Sequence, residues 1–169
     1  MTDPVRLIVT VIAMGAAGAA LMDVWSLVLR RIWHVPTLDY SMLGRWIGHQ
    51  LHGQFFHDRI ATAPSIRGER LLGWVAHYAI GIGFAVPVVL LGGPGWAARP
   101  TIAPAMLTAL VTVLAPWLVM QPGMGMGFAA SRSGRPGATR VRNLATHSIY
   151  GLGMYAAATV LAGIHGAGS

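Results

Sequence analysis

The chain has 169 residues, of which 54% are hydrophobic and 10% charged, where a soluble domain carries about 25% charged residues. One small core cannot bury that much apolar surface, so the composition argues against a soluble domain and for a lipid bilayer as the solvent. Cysteine is absent, which removes disulfides, thiolate metal sites and cysteine nucleophiles. The net charge of +7 rests on twelve arginines and no lysine, and it reads as loops that set topology rather than as a nucleic-acid surface.

Met1 to Arg6 is a short polar start, with Pro4 placed where a first helical turn begins. The first spanning helix is expected over about 7–29. It is too long for the apolar part of a secretory signal, and no small-residue cleavage site follows, so it reads as a retained helix. Its middle, Gly15 to Ala20, offers two small-xxx-small pairs, Gly15 with Ala19 and Ala16 with Ala20, which let helices approach closely in lipid. Asp23 interrupts the apolar run. Trp25 and Trp33 flank the exit, and Arg30 and Arg31 end it.

Residues 32–68 form the one long hydrophilic stretch. Within it Leu43, Trp46, Ile47, Leu51 and Phe55 recur at helical spacing, which predicts an amphipathic helix over about 41–56 lying on the membrane surface. A second spanning helix is expected over 69–91 with Pro87 inside it, and a third over 101–120 with Pro116 inside it. Gly123, Gly125 and Gly127 then predict a tight, non-helical segment. The fourth is expected over 141–164, with a frayed tail from His165. The expectation is an all-α fold: an integral membrane four-helix bundle with a short interfacial helix in its first cytoplasmic loop, the whole chain one transmembrane domain.

The polar residues fall at one depth. At about 1.5 Å per residue, Asp23 lies roughly 10 Å inside from Arg30, His77 roughly 12 Å from Glu69, and His147 roughly 8 Å from Arg142. Gln121 closes the third helix on the same side. Glu69, Gly73 and His77 share one helical face. Ionisable groups inside a membrane are costly and are either paired or functional, and each of these has both readings. Asp23 either pairs with a neighbouring helix or arginine, or serves a site. His77 either links helices or binds a ligand. His147 lies near the interface, where a structural role is natural, and Glu69 suits a helix N-terminus through the dipole alone. Their convergence on one side predicts a shared polar cavity holding Asp23, His77 and His147, with Glu69 and Gln121 at its rim.

Weaker signals surround it. His49, His52 and His57 resemble a metal-ligand run, but without a well-spaced carboxylate they read better as a solvated interfacial stretch. Met120, Met124 and Met126 read as packing around a glycine turn rather than as Cu(I) ligands. Neither a dinucleotide fingerprint nor a phosphate-binding loop occurs, and there is no HExxH and no nucleophile elbow.

The order of motifs is specific. D-x-W stands at Asp23 and Trp25, LDYxxxGRWxGH at Leu38 to His49, and ERxxGWxxHYxxGxxFA at Glu69 to Ala85. MQPGxGxGxAAS follows, reaching from the Gln121 region to Ser131, and RxRxxxTHxxxGxG closes the series at Arg140 to Gly153. In this the chain resembles domain-of-unknown-function family 2938 over nearly its whole length. The resemblance implies a bacterial multi-pass membrane protein and carries no reaction with it.

Three functions stay open. Binding or transport of a small solute or ion fits the interior prolines and the polar cluster, with an oligomer expected because one four-helix chain is small. A haem between His77 and His147, or a metal held there with Asp23 and Glu69, is the second. A membrane enzyme acting on a lipid or amphiphile, with Arg45, Arg140 and Arg142 on a headgroup and a histidine as base, is the third.

The two loops expected on one side carry ten arginines (30, 31, 45, 59, 67, 70, 132, 135, 140 and 142), against Arg6 and Arg99 on the other. The rich side is therefore expected to be cytoplasmic and both termini periplasmic. A C-terminal alkaline phosphatase fusion should be active and a C-terminal fluorescent-protein fusion dark; the reverse pattern overturns this topology.

Overall fold

The computed structural model describes residues 4–93 and 95–166, and among them it is all helical, with no strand. Five helices make up the fold: α1 (Pro4–Ile32), α2 (Tyr40–Gln50), α3 (Glu69–Gly92), α4 (Ile102–Gly123) and α5 (Pro136–Gly166). Three of them, α1, α3 and α4, are long and apolar enough to cross a membrane. The expected polar start and frayed tail fall partly on residues outside those described.

The ends differ from the expectation for local reasons. α1 starts at Pro4, whose missing N–H costs nothing in a first turn. For the same reason α5 starts at Pro136 and draws the stretch expected as loop, with Arg140 and Arg142, into the helix. α2 is shorter than expected. Asp39 caps its start by accepting the Ser41 N–H at 2.9 Å, and the chain leaves the helix through Gly53 at φ 80°. Leu51 and Phe55, counted in the periodic pattern, therefore stand outside it and are exposed.

α4 carries the largest irregularity. Pro116 has no N–H to return to Thr112, and the backbone opens into one π-helical turn, Pro116–Met120, before α4 closes at Gly123. The glycine segment beyond it is tight, as the sequence suggests. Gly125 and Gly127 take positive φ, and a Cβ at Gly125 would strike the backbone of His57 and Asp58.

Small residues set the packing. α1 lies against both α3 and α5, α4 against α5, and α3 touches α4 less closely than α1 does. Of the two small-residue pairs on α1, Gly15 and Ala19 are buried whereas Ala20 is exposed, so only the first is an interface. A Cβ on Gly15 would run into Ile82 and Gly81, and one on Gly153 into Gly18. Met14, Ala85, Val88, Ala105, Ala109, Tyr150, Met154 and Ala158 fill the core between them.

α2 docks on α3 through a second pair of glycines. A Cβ on Gly44 would meet the Glu69 carbonyl, and one on Gly73 the Tyr40 carbonyl, so the two backbones touch. Arg45 secures the joint with a bidentate pair to Glu69, its Nε and Nη2 donating at 2.8 and 2.7 Å, while Nη1 donates to the Ala63 carbonyl at 3.1 Å. This carboxylate holds the Arg45 guanidinium above its ordinary pKa.

Gly73→Ala should lower thermal stability in detergent by about 1–3 kcal/mol, because a rigid backbone has to move aside. Gly83→Ala, with open space around its Cβ, should be neutral or stabilising by a few tenths to about 1 kcal/mol. Equal melting behaviour of the two variants contradicts the close α2–α3 contact.

Candidate functional site

Asp23 sits on α1 among three donors. The Tyr40 hydroxyl donates to its Oδ1 at 2.7 Å, His77 Nε2 lies 3.1 Å from the same oxygen, and the Tyr78 hydroxyl donates to Oδ2 at 3.0 Å. Rings tighten the arrangement. Tyr40 stacks on His77 with centroids 4.3 Å apart, and Trp74 tilts against Tyr40 at 4.5 Å. Burial, and then the Asp23 carboxylate accepting its proton, push the Tyr40 pKa up, so this hydroxyl stays a donor. The cluster ties α1, α2 and α3 together and leaves neither carboxylate oxygen without a partner.

Behind it, enclosed by α1, α2, α3, α4 and α5, lies a cavity of two lobes of about 370 and 340 Å³. Met22, Leu38, Tyr40, His77, Pro116, Met120 and His147 line both lobes. The first lobe opens toward Asp39, Thr139, Arg142 and Asn143; the second is walled by Ile80, Phe84, Val119 and other apolar groups. The π turn of α4 borders the space, with Pro116 and Met120 lining both lobes. On the far wall His147 presents Nδ1 to the Ala109 carbonyl and to Thr112 Oγ1, both at 3.2 Å. Nε2 is then the ring nitrogen left for a ligand.

Gln121 is 2% exposed and lines the first lobe, and its Oε1 has no hydrogen-bond partner. A buried acceptor in that state costs about 1–3 kcal/mol.

The expected constellation is thus divided. His77, His147 and Gln121 share the cavity. Asp23 stands behind His77 and Tyr40 and is not among the lining residues. Glu69 is not at the rim: it faces Arg45 and also accepts the Ile66 N–H at 3.0 Å. Arg45 is used in the same joint, and Arg140 donates to the Ala129 carbonyl at 2.9 Å, outside the cavity, whereas Arg142 lines it.

The histidine run is solvated only in part: residues 51–56, His52 among them, are exposed, whereas the histidines on either side of them are not. His49 and His57 are buried and lie ring to ring, because His49 falls on the packed face of α2 beside Gly48 and the 57–60 strand of chain is bonded to the end of α4. His52 only returns to the Gly48 carbonyl at 3.2 Å. Among the described residues no group of three or more His, Asp or Glu side chains comes together around a metal position.

Tyr40 and Tyr78 are the partners that a search for ionisable groups passes over. Their trace in the sequence is position alone: Tyr78 adjoins His77, and Tyr40 opens the α2 motif.

No curated protein and no solved structure matches this chain. The family described as protein of unknown function DUF2938 matches residues 12–161, which include all five helices in whole or in large part and every residue of the cavity. The chain therefore belongs to the DUF2938 family of proteins of unknown function.

Proposed function

We propose that this is a multi-pass protein of the bacterial inner membrane that binds a small amphiphilic solute in the cavity beside the π turn of α4, as a carrier or receptor for it. In this reading α5 is the fourth span, α2 rests at the cytoplasmic surface, both termini are periplasmic, and the chain works as a homo-oligomer in the bilayer without nucleic acid. The carrying observation is the mixed lining of the cavity, with Gln121, Arg142, Asn143 and His147 around one lobe and Ile80, Phe84 and Val119 around the other. A solute with an O–H or N–H group can donate to His147 Nε2, and Gln121, whose Oε1 has no donor in the protein, is the amide beside it.

The two lobes complete the ligand class. Arg142 and Asn143 at the polar mouth suit a polar or anionic head, and Ile80, Phe84 and Val119 suit an apolar portion. Haem between His77 and His147 is the weaker reading, because Asp23 and Tyr40 already occupy His77 Nε2, the nitrogen an axial ligand needs. Catalysis on a lipid is the weaker reading as well, because Asp39, the carboxylate that lines the cavity with His147, is engaged in capping α2 through the Ser41 N–H.

Gln121→Met tests this. It removes the unpaired acceptor at similar volume, so the empty protein should gain about 1–3 kcal/mol of stability. At the same time native mass spectrometry should show loss of a small organic adduct that wild type retains from the membrane. A destabilised variant, or an adduct kept at wild-type level, rejects Gln121 as a ligand group.

The Asp23 cluster should behave as scaffold. Asp23→Asn and His77→Gln are each expected to destabilise the fold, with a coupling of about 0.5–3 kcal/mol in the double-mutant cycle. Additive losses contradict a shared network.

A further inference from the structure

His49 and His57 form a chain of contacts outside the cavity. His49 Nε2 lies 3.0 Å from the Pro64 carbonyl, His49 Nδ1 lies 2.7 Å from His57 Nε2, and His57 Nδ1 lies 3.2 Å from the Gly123 carbonyl. The last carbonyl also accepts the His57 backbone N–H at 2.9 Å, which its two lone pairs allow. Both ends of the chain are carbonyl oxygens, and a carbonyl only accepts.

The proton count follows. A hydrogen at His49 Nε2 satisfies Pro64, one at His57 Nδ1 satisfies Gly123, and a third is needed between the rings. Two neutral imidazoles carry only two. With two, one ring nitrogen turns a bare lone pair toward a carbonyl oxygen or toward the other ring's lone pair. Both rings are buried, so bulk water cannot take up the unmet contact, and an unsatisfied buried group is costly.

We propose that His49 and His57 together are a proton-binding site, holding one proton beyond the two of a neutral pair as a hydrogen-bonded imidazole–imidazolium dyad. The surroundings suit a cation. Glu69, at the start of α3, interacts electrostatically with His49, although Arg45 shares that carboxylate. Asp58 follows His57 in the chain, and the Gly123 carbonyl belongs to the C-terminal, negative end of α4. Arg59 and Arg132 oppose the charge from the walls of an open pocket of about 620 Å³. His57 lines that pocket too, which gives the proton a path to water. The dyad joins α2, the 57–64 segment and the end of α4, two residues from Gln121, so its protonation is felt beside the cavity.

The test is nitrogen NMR of the full chain with labelled histidine in lipid, at neutral pH. Three N–H protons over the four ring nitrogens of His49 and His57 are expected, with His49→Gln and His57→Gln used for assignment. In either variant the remaining ring should carry one proton. Two protons on the wild-type pair overturn the proposal, and where a variant does not fold the pair is assigned in wild type by the through-space contact between its two rings. Melting curves give a second readout. A proton held by the folded dyad stabilises the fold while it is bound, so this contribution is lost as pH rises through the range where histidine titrates. Wild type should lose more stability than His57→Gln over that range. Equal slopes overturn the proposal as well, and neither result depends on a solute occupying the cavity.

Discussion

A carboxylate placed inside the apolar part of a helix bundle has to be given donors, and that requirement at Asp23 organises much of this chain. The partners it has come from other helices. Tyr40, His77 and Tyr78 supply them from α2 and α3. Bringing a residue of a surface segment that deep requires α2 to lie directly on α3, and the glycines at 44 and 73 remove the side chains that would prevent it. The salt bridge of Arg45 with Glu69 then fixes the joint in a place where both partners are only slightly exposed. Replacing such a group with a hydrocarbon is often harmless to stability in general, whereas removing one partner is not.

The cavity borders a different constraint, the imino acid at 116, where one π turn interrupts α4 and Pro116 and Met120 line both lobes. The lining is mixed in character: His77 and His147 are shared by both lobes, Gln121, Arg142 and Asn143 belong to the first, and aliphatic and aromatic walls make up the second. Gln121 is the least satisfied of the lining groups, and it belongs to the motif that closes α4.

Much of this was legible in the sequence, and the exceptions have physical causes. Helix existence followed from apolar runs and from proline and glycine punctuation. Helix ends did not, because Pro136 starts a helix as readily as it ends one. The shared depth of His77 and His147 came from counting residues, since rise per residue is nearly constant. Depth says nothing about azimuth, and so Asp23 was placed in the cavity although it turns toward Tyr40 and Tyr78. Glu69 was assigned to the rim because Arg45, distant in sequence, could not be seen to reach it. His49 and His57 looked solvated because their stretch is hydrophilic; burial there comes from the end of α4, a contact far along the chain. The tyrosines were missed because neutral hydroxyls carry no charge to betray them.

The backbone contact between Gly44 and Gly73 has a mechanical consequence. It runs from Tyr40 to Gly44, so the first turn of α2 is clamped directly on the backbone of α3. Tyr40 stands in that turn, against Asp23 and His77, and His49 lies toward the other end, against His57. About 14 Å of helix separates them. The tyrosine in the cavity wall is therefore held by main chain as well as by its hydroxyl, and it cannot be displaced without moving α3 at Gly73.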